Sequence, residues 1–504
     1  MADSTGFDNE KYLEEQSRAI VDRAAKLGGK LYLEFGGKIA YDFHAARVLP
    51  GYDPNVKIRL LQMLKDDAEI IVCIYAGAIE QRKMRADFGI PYDLDAMKLI
   101  DDLRDWGLLV RAVVITRFQD QPSARVFKAR LERRGVTVYT HGRTQGYPTD
   151  VDRIVSDEGY GANAYVATER PVVVVAGPGP GSGKLATCLS QVYHEHARGA
   201  AAGYAKFETF PIWNLPLKHP VNVAYEAATV ELWDVNQIDP FHLAAYGEQA
   251  VNYNRDVEAF PLVARILERI GGDSYYRSPT DMGVNRAGFA IVDDVAVRAA
   301  AEQEVVRRHF RYACEYAVGL VEREDAERAQ LLMSSLGLDE EARRVVRPAR
   351  DAAAEGEAKG KGNEGVFVGA AIELPDGRVA TGKNSPLMHA APAVVLNAVK
   401  MLAGIPDGMP LLTANVIESI AGMKKDILRM KALSLDLDEM LIALGISATT
   451  NPAAHMAVEH LKRLAGCEFH TTHLPTAGDE AGLRKLGLNA TSEPQFATRS
   501  LVIG

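Results

Sequence analysis

Cysteine is scarce in this chain: four residues in 504, Cys73, Cys188, Cys314 and Cys467, with no C-x-x-C pair among them. Spacing this wide argues against a disulfide framework and a cysteine-based structural zinc site, and fits reduced thiols in a cytoplasm. Positive charge is also in short supply. Lys and Arg number 58 against 67 Asp and Glu, a formal net charge of −9. The chain therefore lacks the cation excess with which a nucleic-acid-coating protein displaces counterions, although a local basic patch stays open. No apolar run approaches the roughly 18–20 residues that a membrane helix needs. The stretch Met1–Phe7 has no basic start followed by an apolar core, so no signal peptide is expected. The chain reads as cytoplasmic, with neither nucleic acid nor membrane as a partner. Internal repeats are absent too.

What is present is ordinary globular composition, 47% apolar and 25% charged, in a chain longer than one core usually organises. Up to residue 215, helical periodicity alternates with β-branched runs. Helices are expected at Asn9–Lys26, from Asp53-Pro54, at Asp93–Trp106 and at Ser123–Arg134. Strands are expected at Leu31–Phe35, Ile70–Tyr75, Leu109–Thr116 and Val136–Tyr139. Such alternation predicts βαβ units and a Rossmann-like, mostly parallel sheet. The run Val172–Val175 is apolar without alternation, as in a central strand covered on both faces. Residues 216–351 read as mainly helical, notably Asn254–Ile270, Val295–Val321 and Leu338–Ala354. Ala352–Gly365, rich in glycine and charge, reads as a linker. A C-terminal α/β unit follows over 366–504, with an Asp376-Gly377 turn.

The segment Ala176–Cys188, A-G-P-G-P-G-S-G-K-L-A-T-C, falls between the valine-rich strand and a helical pattern. A phosphate cradle belongs there: glycines admit close backbone approach, amides point inward and the helix start adds partial positive charge. Gly177, Gly179, Gly181, Ser182, Gly183 and Lys184 are the candidate binding residues, with Lys184 supplying the point charge. The pattern departs from G-x-x-x-x-G-K-[ST] twice. Its first glycine position falls on Pro178, and Leu185 stands where a hydroxyl normally holds Mg²⁺. Pro178 and Pro180 also remove two amide donors. An anion cradle is expected, with Mg²⁺ not held in the standard way; the plainer alternative is a turn that packs a helix tightly on the sheet.

Ligands of open α/β sheets gather beyond the carboxyl ends of strands. Gly36, Gly37 and Lys38 lie there, as do Arg117 and, after the next strand, Arg143 in His141–Thr144. On the strand-like run Tyr204–Phe210, Lys206 and Glu208 share a face at i and i+2; they read as catalytic candidates or as a surface ion pair. The segment Arg277–Arg286 supplies Ser278, Thr280, Asp281 and Asn285 as substrate-binding candidates. Asp293-Asp294, after the apolar run Phe289–Val292, reads first as a helix cap and second as a Mg²⁺-holding carboxylate. His194 and His196, at i and i+2 of a helix, point to different faces and do not suit a metal. His470 and His473 near Cys467 read as a chance cluster.

Four segments carry a family resemblance: L-E-F-G-G-K (Leu33–Lys38), G-P-G-P-G-S-G-K (Gly177–Lys184), F-P-I-W-N-L-P-L-K-H-P-V-N (Phe210–Asn222) and S-P-T-D-M-G-V-N (Ser278–Asn285). With them the chain resembles an uncharacterised bacterial family, domain of unknown function 1846, also called uncharacterised protein family 0371. The resemblance implies a cytoplasmic protein of several subdomains, a homo-oligomer, and carries no activity. Separately, Val368–Asn384 followed by Met388-His389-Ala390-Ala391 is similar to the start of cytidine deaminases, implying a deaminase-like fold. Those enzymes need H-x-E and P-C-x-x-C for zinc and the proton shuttle. Here Ala391 replaces the glutamate and Cys467 has no partner, so the unit is expected to pack or to oligomerise.

These observations lead to one functional expectation and one rival. The first is a nucleotide- or phosphometabolite-binding enzyme, a phosphotransferase or ligase, with ATP or another phosphate-bearing ligand on the Gly177–Lys184 loop. The rival is a non-catalytic phosphate- or nucleotide-binding scaffold. A metalloenzyme stands third.

Overall fold

A computed structural model describes residues 5–85, 89–272 and 275–498. Residues 1–4 of the stretch read for a signal peptide lie outside the described residues. The chain divides into two compact units, Ser4–Ala301 and Glu302–Gly504, the latter grouped with Met1–Asp3. Among the described residues no helix is long and apolar enough to cross a membrane.

The Ser4–Ala301 unit is built on strands β1 (Lys30–Phe35), β2 (Ala68–Tyr75), a short β3–β4 ribbon (Met84–Arg85, Ile90–Pro91), β5 (Val110–Thr116), β6 (Val138–Thr140), β7 (Val172–Ala176) and β8 (Ala202–Phe207). Six of them form one sheet in the order β6-β5-β2-β7-β1-β8, and every pairing in it is parallel. All residues of β7 are buried, because β2 and β1 flank it and helices cover both faces. The first helix follows its sequence pattern: the Asp8 side chain accepts the Glu10 and Lys11 amides, and Tyr12, Leu13, Gln16, Ile20 and Ala24 turn inward over Asn9–Lys26.

Two local expectations change. The helix expected from Asp53-Pro54 starts at Val56, because the Asp53 carboxylate is occupied by the Asn55 amide in a turn ahead of it. The apolar run before Asp293 is a 3-10 turn, Ala287–Ala290, and only Ile291 makes a bridge, to Phe7. Farther along, an antiparallel pair β9 (Asn236–Ile238) and β10 (Val251–Tyr253) interrupts the helices.

In the Glu302–Gly504 unit, β11 (Gly369–Glu373), β12 (Val379–Lys383), β13 (Glu468–Thr471) and β14 (Asn489–Ser492) order as β12-β11-β13-β14. β11 is antiparallel to both neighbours and β13 is parallel to β14. Val394, Val399, Met440, Leu444 and Phe469 centre its core. The first half of the segment read as a linker is helix. Val346–Ala358 is helical, with Ala349 and Ala352 buried. Small residues on this helix and at the start of β11 bring the backbones together: a Cβ on Gly369 would stand 2.0 Å from the Ala349 carbonyl oxygen. Glycine and alanine that look unable to form a core serve here as a close-packing face.

Candidate functional site

The glycine-rich loop leaves the carboxyl end of β7 and enters the helix Lys184–Ala197 through Gly183, whose φ of +91° suits glycine. Its carbonyls are tied back. Thr116 Oγ1 donates to the Ser182 carbonyl at 2.7 Å, Arg117 donates to that of Gly181, and Ser182 Oγ donates to that of Gly179. Because N–H and C=O point opposite ways across a planar peptide, pinning the carbonyls of Gly181 and Ser182 turns the following amides away from Thr116 and Arg117. The amides of Gly181, Ser182, Gly183, Lys184, Leu185 and Ala186 donate to no other described residue. The Lys184 ammonium, half-buried, has no hydrogen-bond or ion-pair partner among the described residues. First-turn amides are left unpaired at any helix start; here the amides of Gly181, Ser182 and Gly183 extend that row back into the loop.

Beside this loop, Gly177 and Pro178 share an open cleft of about 380 Å³ with Gly37, Lys38, Tyr41 and the helix face Asp95, Lys98, Leu99 and Asp102. The Gly36–Lys38 turn and the glycine loop thus meet, as their places at the ends of adjacent strands require. The helix residues were not singled out from the sequence, although their i, i+3, i+4 and i+7 spacing marks one helix face.

A second cleft, about 330 Å³, is lined by Lys206, Glu208, Pro211, Trp213, Asn252, Asp256, Thr280 and Asn285 among others. Lys206 and Glu208 do share a face, with Nζ and Oε1 3.3 Å apart. Asp256 takes the ammonium more closely, both carboxylate oxygens lying at 2.6 Å, and the Tyr253 hydroxyl accepts from it as well. Burial disfavours the Lys206 charge, but Asp256, Glu208 and Glu34 together hold its pKa above the ordinary value. Burial pushes the Glu208 carboxyl up to about 7; Lys206 opposes this, and Asp256 and Glu34 add to it. A buried carboxyl poised near neutrality is suited to donating or accepting a proton.

The segment after Ser278 adds itself to the sheet edge: Val284 N–H donates to the Lys206 carbonyl at 2.9 Å, and Asn285 Oδ1 accepts the Glu208 amide at 2.7 Å. Thr280 and Asn285 therefore line the cleft. Ser278 and Asp281 do not; Ser278 caps the short helix Pro279–Met282, and Asp281 accepts from Tyr246 and the Arg277 amide. Arg117, stacked 3.5 Å over the Tyr75 ring, holds the loop carbonyl, and Arg143 stands exposed beyond β6, outside both clefts. Asp256 and Trp213 were missed. Asp256 sits in the first turn of Asn254–Gly271, where an acidic residue looks like dipole compensation.

Elsewhere, polar clusters close on themselves. Asp293 accepts the Val295 and Ala296 amides as a cap, while Asp294 pairs with His219 and Arg298. His194 and His196 bond backbone carbonyls. In the C-terminal unit His389 precedes the helix Ala390–Ala403 and bonds Asp479 at 2.7 Å, and buried His470 bonds Thr491. No group of three His, Cys, Asp or Glu residues placed to hold a metal occurs among the described residues.

Residues 5–337 match the domain of unknown function DUF1846, N-terminal, and residues 341–502 match the domain of unknown function DUF1846, C-terminal. Relatives include UPF0371 proteins of Clostridium tetani and Clostridium botulinum, each 55% identical, with 98% of this chain and 99% of the relative aligned. One from Fusobacterium nucleatum is similar to the same degree over the same shares. The chain belongs to this uncharacterised DUF1846/UPF0371 family.

Proposed function

We propose that this member of the DUF1846 family is an enzyme acting on a nucleotide or phosphometabolite, with the phosphate on the Gly177–Lys184 loop. One observation carries the reading: a run of amides and Lys184, none with a partner among the described residues, converge at the start of a 14-residue helix, where the backbone and the dipole favour an anion. Glu208 stands one strand beyond Gly36 as the proton-transfer group, held by Lys206 and Asp256, in keeping with a phosphotransferase or ligase. Isothermal titration with ATP, ADP and inorganic phosphate, with and without Mg²⁺, tests it. Binding is expected, weakened at least tenfold in Lys184→Ala. Heat-silent and melting-silent behaviour with all three ligands at millimolar concentration overturns it.

A non-catalytic scaffold is the second reading. Leu185 packs against the core that includes Cys188 and Val192, the Thr187 hydroxyl is taken by Cys73, and Ser182 is spent on the loop. Leu185 leaves no hydroxyl at the position after the lysine, where the P-loop holds Mg²⁺. Ligand binding that depends on Lys184, without turnover of any member of a phosphometabolite panel, would favour it. Cytoplasmic location, homo-oligomerisation and a deaminase-like C-terminal fold belong to either reading; Ala391 and the single Cys467 argue against deaminase chemistry in that unit.

A further inference from the structure

The glycine loop and the second cleft stand at neighbouring strand ends. β7, β1 and β8 are neighbours with Val175 beside Glu34 and Phe35 beside Phe207. Gly177, Gly36 and Glu208 therefore follow one another across the strand ends. Gly36 is the divide, and it is bare for a reason: a Cβ there would stand 2.4 Å from Glu208 Cγ and 2.7 Å from Oε1. Two strand spacings, on the order of 10 Å, separate the glycine loop from the Glu208 strand. That is the span of a phosphorylated sugar.

The second cleft has the surface that a sugar needs. Glu208, Asp256 and the Thr280 oxygen, whose hydrogen goes to Asp239, offer acceptors, the Asn252 and Asn285 amide groups offer donors, and Pro211 and Trp213 give an apolar wall for C–H faces. A second phosphate does not suit it, since Lys206 is already engaged by Asp256 and Glu208. From this geometry we infer that the glycine loop and the second cleft form one bipartite site for a phosphorylated polyhydroxyl compound, with its phosphate on the loop and its hydroxyls on Glu208, Thr280 and Asn285. The inference rests on the phosphate reading of the loop and adds the substrate class.

Calorimetric titration of the wild-type full-length protein with inorganic phosphate, ribose 5-phosphate, AMP, phosphoethanolamine and free ribose tests it. Ribose 5-phosphate or AMP should bind at least tenfold more tightly than inorganic phosphate. AMP ahead of ribose 5-phosphate identifies a nucleotide, and the reverse identifies a free sugar phosphate. In Asn285→Ala, checked for an unchanged melting profile, that gain should shrink to under threefold while phosphate affinity holds. The wild-type ligand series decides the matter even if this variant fails to fold. If phosphate binds but neither sugar phosphate binds better, the polyol assignment falls and the loop reading survives. Tighter binding of phosphoethanolamine than of either sugar phosphate also overturns it, in favour of an amine-bearing ligand. If no phosphate compound binds, both fall together.

Discussion

The two units use the same side-chain types to opposite ends. In the C-terminal unit Arg343, 1% exposed, is surrounded by acceptors: Glu468 at 2.7 Å and the carbonyls of Phe469 and Asn489. Arg350 likewise joins Glu340 to Glu493. At the sheet ends of the N-terminal unit, Lys184 and a row of amides have no partners among the described residues, and burial raises the Glu208 pKa to about 7. Charges that are satisfied internally hold a fold together; those left over are available to a ligand. Pairing marks out the loop's share of the site, while Lys206, Glu208 and Asp256 line the second cleft although they are paired with one another.

The sharpest test of that contrast is to remove a satisfied charge from each unit. Arg343→Ala should cost about 3–5 kcal/mol, since it removes a buried side chain with its ion pair to Glu468 and its bonds to two carbonyls, and it should leave phosphate titrations of the surviving folded protein unchanged. Asp256→Ala should cost a similar amount, about 3–5 kcal/mol, by leaving Lys206 buried without its main partner. Here the second cleft should be lost as well. Urea unfolding measures both, and equal ligand affinities in the two variants would erase the distinction between the units.

Gly36→Ala comes next, at about 1–3 kcal/mol, because the new methyl overlaps the Glu208 carboxyl and must displace it. Its melting temperature should fall, and the pH dependence attributed to Glu208 should change with it. That pH dependence has a definite sign. The folded state raises the Glu208 pKa to about 7, so its contribution to stability is full below the ordinary carboxyl range. It is lost as pH climbs through about 7. Between roughly pH 5 and pH 8, wild type should therefore lose stability relative to Glu208→Gln, by a few kcal/mol at most. Parallel urea midpoints across that range would remove Glu208 from the account. The smallest stability effect should be that of Lys184→Ala, within about 0.5 kcal/mol, and it should coincide with the largest loss of phosphate affinity.

Much of the sheet was legible because the chain repeats a simple pattern. The β-branched run Val172–Val175 is a strand covered on both faces, as its lack of alternation suggested, and the helix Asn9–Lys26 coincides with its apolar period. Ala352–Ala358 was not legible, since alanine and glycine have the same composition in a linker as in a tight helix-on-sheet contact. In the candidate site, the shared face of Lys206 and Glu208 followed from parity along a strand, whereas the docking of Val284 and Asn285 on that strand is a long-range contact that the polar composition of the segment did not place. Asp256 could not be found this way: its partner is 50 residues distant in sequence, and nothing local distinguishes it from any acidic first turn. Ser278 shows the converse, a hydroxyl whose loop looked available and which the helix start consumes.

Arg117 has a consequence for how fast a ligand is captured. With a φ of +50°, its guanidinium lying over Tyr75 and its hydrogen bond spent on the Gly181 carbonyl, it fixes the loop's curvature before anything arrives. A receptor already in its bound shape has little ordering left to do, which saves on the order of 0.5–1.5 kcal/mol for each group that would otherwise be immobilised. Capture at the loop should then be a single kinetic step, with an observed rate rising linearly with ligand concentration. Arg117→Ala should add a slower phase as the loaded loop finds its form.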